Sequence, residues 1–284
     1  MTTTTEAYAK VNFTLEVFSK RADGYHALRS LVMPVTLADT LEFAPATEFS
    51  SDTGYADDLC VKAALELQKA VGGVRQPYSV KVVKNIPAGG GLGGGSADAA
   101  ATLAMLNGLW GAGLSPRELA EVGARVGSDV PALVLARPGM PVVMEGRGEL
   151  VTGAPNAARR LSLVLVNPGV FSSTAEVFRA SNSRVTDDHS ILYNMLSALE
   201  SGGLEEIASA LMNDLDEPAA RLHPEIAAAK AALSSAGALG ATMSGSGSTV
   251  FGLVPSEAAG REIAASLRAK GYLAWSAWTH CPVV

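Results

Sequence analysis

Cysteines, charged residues and aromatic residues are all scarce in this chain of 284 residues. Cys60 and Cys281 lie far apart, so they make neither a disulfide framework nor a metal cage, and we expect a reducing cytoplasm as the location. The four histidines show no metal-ligand spacing. Charged residues make up 18% and hydrophobic residues 48%, a balance that is typical of a globular protein and not of a disordered one.

The chain also lacks an excess of positive charge and a long apolar run. Its formal net charge of -6 gives no electrostatic reason to expect nucleic acid or an anionic membrane as a partner. Residues 1–6 have neither the basic region nor the apolar core of a signal peptide. The alanine-rich stretches are interrupted by charge or glycine well short of a membrane span. The sequence therefore predicts no nucleic-acid partner and no membrane partner.

Apolar alternation and helix caps predict mixed strands and helices in the first half. Ala7 to Val17 carries its apolar residues on one parity, as a strand with one buried face does. Capping and stop residues predict helices from Asp57–Asp58 to Gly72–Gly73 and from Ser115 to Gly127, and a short helix beginning at Ser128–Asp129. Further strands are predicted at 28–35, 40–44 and 78–84.

The second half has the element order of a ferredoxin-like domain. A polar, proline-containing stretch at 146–160 marks a weak boundary, so we predict domains at 1–155 and 156–284. Beyond it, strand, helix, strand, strand, helix, strand is the split βαβ order, with extra helices inserted. The elements that carry this order are a strand at 161–166, helices up to Ala236, strands at 241–243 and 249–254, a helix at 256–270 and a strand at 272–278. The predicted fold class is α+β.

The glycine-rich stretch between the strand at 78–84 and the next helix is the most unusual segment. Six of seven consecutive residues are glycine, interrupted only by Leu92, although glycine costs about 0.5–1 kcal/mol relative to alanine inside a helix or strand. Free backbone N–H groups and the helix dipole favour an anion at such a position. We predict a phosphate loop, with Ser96 capping the helix and a phosphate or Mg²⁺ contact as its alternative role. Its candidate cofactor-binding residues are Pro87, Ala88, Gly89, Gly90, Gly91, Leu92, Gly93, Gly94, Gly95, Ser96 and Ala97.

Two common phosphate loops fit this segment poorly. A Walker A loop ends in Gly-Lys-Ser/Thr, whereas Gly95-Ser96-Ala97 has no lysine. Gly89, Gly91 and Gly94 formally match the Rossmann fingerprint, but that fingerprint needs an acidic residue closing a second strand about 20 residues further on. A helix start at Ser115 occupies that position instead.

With two companion segments, the glycine loop resembles the second motif of the GHMP kinases. The companions are Ala9-Lys10-Val11-Asn12 and the glycine–serine turn within 240–251. This resemblance implies a two-domain kinase, with a first half like domain 2 of ribosomal protein S5 and a ferredoxin-like second half. It implies ATP and Mg²⁺ as cofactors, a small-molecule alcohol as substrate, and a monomer or weak homodimer. Ser244, Gly245 and Ser246 would lie at the phosphates, and a bare β-turn is the plain alternative for this segment.

Further segments resemble the branch of that family that phosphorylates the 2-hydroxyl of a cytidine diphosphate-linked methylerythritol in non-mevalonate isoprenoid biosynthesis. They are Asp23-Gly-Tyr-His26, Gly127-Ser-Asp-Val-Pro131, Asn167-Pro-Gly169 followed by Thr174, and 213–218. Two departures are visible. Ala97 stands where a second serine is frequent, and Asp58 stands where asparagine is usual.

The resemblance makes Asp129 the catalytic base and Lys10 the cation that neutralises it. From the residues alone, Asp129 is equally a helix N-cap, and Lys10 lies on the strand parity opposite the buried face, where a lysine is usually solvated. Asn12, on the same side as Lys10, is expected either to contact a substrate hydroxyl or to lie at the surface.

The remaining substrate-binding candidates are Tyr25, His26, Thr174 and Phe178. By resemblance, Tyr25 stacks on the cytosine, His26 hydrogen-bonds its edge, and the other two complete the pocket. Helix capping by Thr174 and core packing by Phe178 are the plain alternatives. A GHMP kinase for another alcohol, a Rossmann oxidoreductase and an inactive binding module remain as rival functions.

Overall fold

The computed structural model describes residues 2–20, 22, 24–55, 57–136, 139–181 and 190–279. Cys281 and Asp23 lie outside these residues. The described part contains two sheets. The first has the order β3-β4-β2-β1-β8, with β5 on β2 and β6 on β5. Its strands are β1 Thr3–Lys20, β2 His26–Pro45, β3 Ser50–Ser51, β4 Tyr78–Val83, β5 Val142–Gly146, β6 Leu150–Gly153 and β8 Met212–Asn213.

A long antiparallel hairpin of β1 and β2 forms the centre of this sheet. The prediction of separate strands at 28–35 and 40–44 is wrong, because β2 runs without a break through both. The register of the ladder shifts between Tyr8 and Lys10, opposite the residues between Pro34 and Ala38, so the gap between the two predicted strands is an irregularity in one strand and not a turn. β1 is buried on both faces from Ala9 to Val17.

Helices cover the sheet next to the glycine loop: α1 Leu59–Val71, α2 Gly94–Leu109, α3 Pro116–Val126 and α4 Val130–Leu135. Asp58 caps α1 by accepting from the Val61 amide at 2.9 Å, and Ser115 with Glu118 forms the capping box of α3. The N-cap of α2 is Gly93, in the left-handed region, and the helix begins at Gly94. The prediction that Ser96 caps this helix is therefore wrong, since Ser96 lies inside the first turn.

The second sheet confirms the ferredoxin-like prediction. Its strands are β7 Ser162–Asn167, β9 Gly240–Met243, β10 Val250–Val254 and β11 Leu273–Trp278. They pair antiparallel in the order β11-β7-β10-β9, which is the 4-1-3-2 order of the split βαβ motif. The helices of this half are α5 Thr174–Ala180, α6 Ser190–Ser201, α7 Leu204–Ser209, α8 Asp216–Leu222, α9 Pro224–Ser235 and α10 Glu257–Ala269.

The two halves are joined through β1. The short strand β8 pairs in parallel with β1, so the later half contributes an edge to the first sheet. One apolar core also contains residues of both sheets, among them Phe13 and Phe251, whose rings stack with centroids 5.7 Å apart. The division at residues 155 and 156 stays a prediction. Among the described residues, no helix is both long and apolar enough to cross a membrane.

Candidate active site

Two glycine-containing loops pack against each other where the sheets meet. Gly91 has φ +76°, and a Cβ on it would lie 2.1 Å from the carbonyl oxygen of Ser244. Ser244 Oγ donates to the Gly91 carbonyl at 2.9 Å, and the Thr249 amide donates to the Gly90 carbonyl at 3.1 Å. Only glycine allows this approach at position 91, because any side chain would collide with backbone and adopt an unfavourable φ.

A cavity of about 580 Å³ lies between the glycine loop and the start of α1. Every residue of the predicted phosphate loop lines it except Leu92 and Ala97; the other lining residues are Thr53, Tyr55, Asp57, Asp58, Leu59, Cys60, Lys84, Ile86 and Asp98. The side chains of Leu92 and Ala97 are buried in the apolar cores instead. Asp58, which stands where asparagine is usual in the family it resembles, uses its carboxylate to cap α1 and to accept a hydrogen bond from the Thr53 hydroxyl.

Lys10 is buried, so the expectation of a solvent-facing lysine is wrong. Its side chain is 6% exposed because the glycine loop covers the face of β1 that alternation left open. Nζ donates to Asn12 Oδ1 at 2.7 Å and to the Gly91 carbonyl at 2.9 Å. Burial lowers the pKa of Lys10, while the charge of Asp129 acts in the opposite direction.

Asp129 brings its carboxylate to this ammonium. Asp129 Oδ2 lies 4.0 Å from Lys10 Nζ, and the Asp129 side chain remains 38% exposed, open to the adjoining cavities. Although Asp129 occupies the N-cap position of α4, its side chain makes no capping hydrogen bond. The Asp129 carboxylate therefore lies near the Lys10 ammonium and does not serve as a helix cap.

Asn12 is fully enclosed and links Lys10 to the sheet. Its Nδ2 donates to Ser30 Oγ at 2.7 Å, while Oδ1 accepts from Lys10 Nζ and, at 3.4 Å, from Ser244 Oγ. The alternative of a surface position is wrong, since Asn12 is 1% exposed. In this structure the amide orients the lysine.

A second cavity, of about 710 Å³, is lined by four of the predicted substrate-binding residues: Tyr25, His26, Thr174 and Phe178. We call it the aromatic cavity. The Tyr25 side chain is exposed, and the rings of His26 and Phe178 have centroids 5.9 Å apart. His26 Nδ1 lies 3.0 Å from the Phe18 carbonyl. Because a carbonyl only accepts, Nδ1 is assigned the proton, and Nε2 is an acceptor in the neutral ring.

A smaller cavity of about 380 Å³ joins the other two. It shares Gly89, Gly91, Gly93 and Ser96 with the glycine-loop cavity, and Leu28, Ser128, Asp129, Thr174 and Phe178 with the aromatic cavity. Lys10, Asn12, Gly245 and Ser246 line it as well, and Ser246 Oγ lies 2.8 Å from Thr174 Oγ1. The three cavities form one trough, with the Lys10–Asp129 pair near its middle.

Several residues in this trough were missed from the sequence. Arg147 lies over the Tyr25 ring at 5.2 Å, and Lys20 and Arg179 line the same cavity. Phe171 is 74% exposed and sits against Gly89, where a Cβ would be 2.9 Å from its ring. The glycine at position 89 is the one sequence signal for the close approach of Phe171. Lys20, Arg147 and Arg179 belong to no motif, so the sequence does not distinguish them from ordinary surface charges.

In the described part of the chain, no group of three or more His, Cys, Asp or Glu side chains could hold a metal ion. The groups that meet at the junction are instead backbone amides, hydroxyls, one ammonium and one carboxylate. Such a set can position a polyanion and accept a proton.

The family models match both halves of the chain. GHMP kinases N terminal domain matches residues 58–137, and GHMP kinases C terminal matches residues 195–273.

Relatives and solved structures agree with these matches. The 4-diphosphocytidyl-2-C-methyl-D-erythritol kinase of Pelotomaculum thermopropionicum is 40% identical over 94% of this chain and 94% of its own length. The enzyme of the same name from Symbiobacterium thermophilum is 40% identical over 95% and 97%. A crystal structure of 4-(cytidine 5'-diphospho)-2C-methyl-D-erythritol kinase superposes with a TM-score of 0.84 at 32% identity, covering 98% of this chain and 99% of that one. A mevalonate kinase structure at 16% identity, with a TM-score of 0.72 over 99% and 100% of the two chains, shares the fold.

Proposed function

This chain belongs to the GHMP kinases, within the family of 4-diphosphocytidyl-2-C-methyl-D-erythritol kinases, and we propose that it transfers the γ-phosphoryl group of ATP to the 2-hydroxyl of that cytidine diphosphate-linked substrate. The continuous trough is the observation that carries the proposal. A glycine-rich end suits phosphates, an aromatic end suits a base, and a carboxylate–ammonium pair lies between them.

ATP would bind with its phosphates against the glycine loop. Gly89, Gly91 and Gly93 have φ between +64° and +76°, a left-handed conformation that glycine adopts without strain and that lets successive backbone N–H groups point towards one anion. The N-terminus of the 16-residue α2 adds backbone N–H groups and a favourable dipole. Mg²⁺, when bound, would neutralise phosphate charge, taking most of its ligands from the nucleotide and water.

Transfer needs one proton removed and one P–O bond exchanged. Asp129 accepts the proton of the attacking hydroxyl, whose oxygen bonds to the γ-phosphorus as the bond from that phosphorus to the β–γ bridging oxygen breaks. Lys10 Nζ lies 4.0 Å from Asp129 Oδ2, where its positive charge would stabilise the negative charge of the transferred group. Asn12 and the Gly91 carbonyl hold the ammonium in place.

The cytidine end would occupy the aromatic cavity. Tyr25 and Phe178 supply ring faces for stacking, and His26 Nε2 is an acceptor suited to the exocyclic amino group of cytosine. Lys20, Arg147 and Arg179 line the same cavity, where cationic side chains favour a diphosphate.

The decisive experiment is ADP release from ATP and Mg²⁺ by the purified protein. We expect turnover with 4-diphosphocytidyl-2-C-methyl-D-erythritol and none with homoserine, mevalonate or galactose. Turnover with one of those alcohols instead would keep the kinase chemistry and overturn the cytidine assignment. Lack of turnover with every acceptor would favour an inactive binding module.

Location and assembly form a separate part of the proposal. We expect a cytoplasmic protein, because two distant cysteines give no disulfide framework that would require an oxidising compartment. We also expect a monomer or weak homodimer, as the family resemblance implies. Light scattering of the purified protein over a range of concentrations tests the assembly state.

A further inference from the structure

Two buried carboxylates and one lysine connect the chain on either side of the glycine loop. Asp39 of β2 is 0% exposed and Asp98 of α2 is 3% exposed. Lys84, just before the loop, donates from Nζ to Asp39 Oδ2 and, at 2.6 Å, to Asp98 Oδ2. We name these three residues the clasp.

Asp39 fixes the segment that enters the loop. Its Oδ1 accepts from the backbone amides of Asn85 at 2.5 Å and of Ile86 at 2.8 Å, in addition to the Lys84 bond at Oδ2. Three consecutive residues before Pro87 are thereby tied to one carboxylate of the central sheet. A carboxylate with several such donors is a rigid anchor, because charge-assisted hydrogen bonds are short and strong.

Asp98 fixes the segment that leaves the loop. It lies on α2, three residues after Gly95, and the Lys84 ammonium reaches it across the base of the loop. A Cβ on Gly94 would lie 3.0 Å from the Ile86 side chain and 3.6 Å from Lys84 Nζ. The segment before the loop and the first turn of α2 after it are therefore in direct contact.

Lys84 lines the nucleotide cavity and would be the obvious candidate for a direct phosphate contact. Its ammonium is already shared by two carboxylates, however, and its side chain is only 28% exposed. The charge is neutralised where it stands, and this leaves little attraction for a phosphate.

We propose that Asp39, Lys84 and Asp98 are positioning residues for ATP: they close the base of the glycine loop and hold its amides in the geometry that binds phosphate. This inference rests on the proposed kinase function but concerns the nucleotide alone. It assigns Lys84 to loop geometry and not to contact with the phosphates.

The test measures ADP affinity by calorimetry, which does not depend on the acceptor substrate, together with the KM for ATP. Asp98→Ala cuts the link to α2, and we expect the Kd for ADP and the KM for ATP to rise about tenfold while kcat and the acceptor KM stay within about threefold, because phosphate-binding geometry tolerates little displacement. Asp98→Asn keeps an acceptor oxygen for Lys84 and is expected to restore most of the affinity. Lys230→Met, which breaks a lysine–aspartate pair with Asp216 outside the trough, is the matched control and leaves both constants unchanged.

Lys84→Met separates the clasp from direct phosphate binding. In the Asp98→Ala background we expect it to cause little further loss of ADP affinity, since the link is already cut. A full additional loss would show that Lys84 contacts phosphate itself and would overturn the inference, as would unchanged affinity in Asp98→Ala or equal losses in every kinetic constant. If Asp98→Ala does not fold, Asp98→Leu, which fills the same space, carries the same expectation. ADP affinity that responds as expected without turnover of any acceptor would support the clasp while contradicting the proposed function.

Discussion

Lys10 Nζ and Asp129 Oδ2 lie 4.0 Å apart, with the lysine almost entirely enclosed and the aspartate open to the trough. The asymmetry assigns different tasks to the two side chains. An enclosed ammonium with two other hydrogen bonds is fixed in position, whereas a partly exposed carboxylate can meet a substrate hydroxyl.

Replacing Asp129 by asparagine should remove the proton acceptor and little else. We expect kcat to fall by about 10²–10⁴, the usual contribution of general acid–base catalysis, with the Kd for ADP unchanged. Single-turnover kinetics with the cytidine substrate would measure the chemical step directly. An Asp129→Asn enzyme with near-normal kcat would exclude the base role.

Lys10→Met should damage both catalysis and stability. It removes the two hydrogen bonds that the buried Lys10 ammonium donates to the Gly91 carbonyl and to Asn12 Oδ1, leaving Ser244 Oγ as the donor that the two acceptors share. A hydrogen bond from a charged donor contributes about 1.5–3 kcal/mol. We expect a lower urea midpoint and a kcat reduced by at least tenfold. A variant as active as the wild type would contradict the proposed function of the ammonium, whatever its stability.

Gly91→Ala should disrupt the contact between the two loops. The new Cβ would lie 2.1 Å from Ser244 O at a φ of +76°, so the backbone must move. We expect loss of measurable ADP binding. Gly108→Ala is the matched control, because nothing lies within 4 Å of that position in α2, and it should stabilise the helix by about 0.5–1 kcal/mol with activity retained.

Phe178→Ala should weaken the acceptor and spare the nucleotide. Stacking of a base on an aromatic ring contributes about 1–3 kcal/mol, so we expect the KM for the cytidine substrate to rise by roughly 5- to 150-fold. Phe178→Tyr, which keeps a ring face, should lose much less. If the KM for ATP rose instead, the two ends of the trough would have to be exchanged.

Asp98 should make stability depend on pH. Burial, with a smaller contribution from Asp39, raises the pKa of Asp98 from 3.8 to about 7 against the opposing effect of Lys84. The folded protein thus retains a proton that the unfolded chain releases above about pH 4, so this group's stabilisation is complete below pH 4 and is lost as the pH rises through about 7.

Urea unfolding of Asp98→Asn and wild type at several pH values tests this expectation. The variant has no such titration, so its stability relative to wild type should increase between pH 5 and pH 8 by about 1 kcal/mol or more. A difference that is constant over this range would show that Asp98 is ionised throughout.

The sequence by itself determined the parts of the molecule that depend on local chemistry. The six glycines at 89–91 and 93–95 predicted a phosphate loop because they precede a helix start, where free backbone N–H groups favour an anion, and Asp58 and Ser115 predicted helix starts through their side-chain caps. The ferredoxin-like order followed from the succession of periodic segments. Each of these signals lies within a few residues of the feature it predicts.

The tertiary structure alone decided where the charges lie. Alternation along β1 predicted one buried face, but a second layer formed by the glycine loop covers the other face and encloses Lys10 and Asn12. The glycine loop packs against Ser244 of the later half, and the clasp joins Asp39 of β2, Lys84 just after β4, and Asp98 of α2. Burial and ion pairing depend on what packs across a strand or helix from distant sequence, and no local pattern encodes that neighbour.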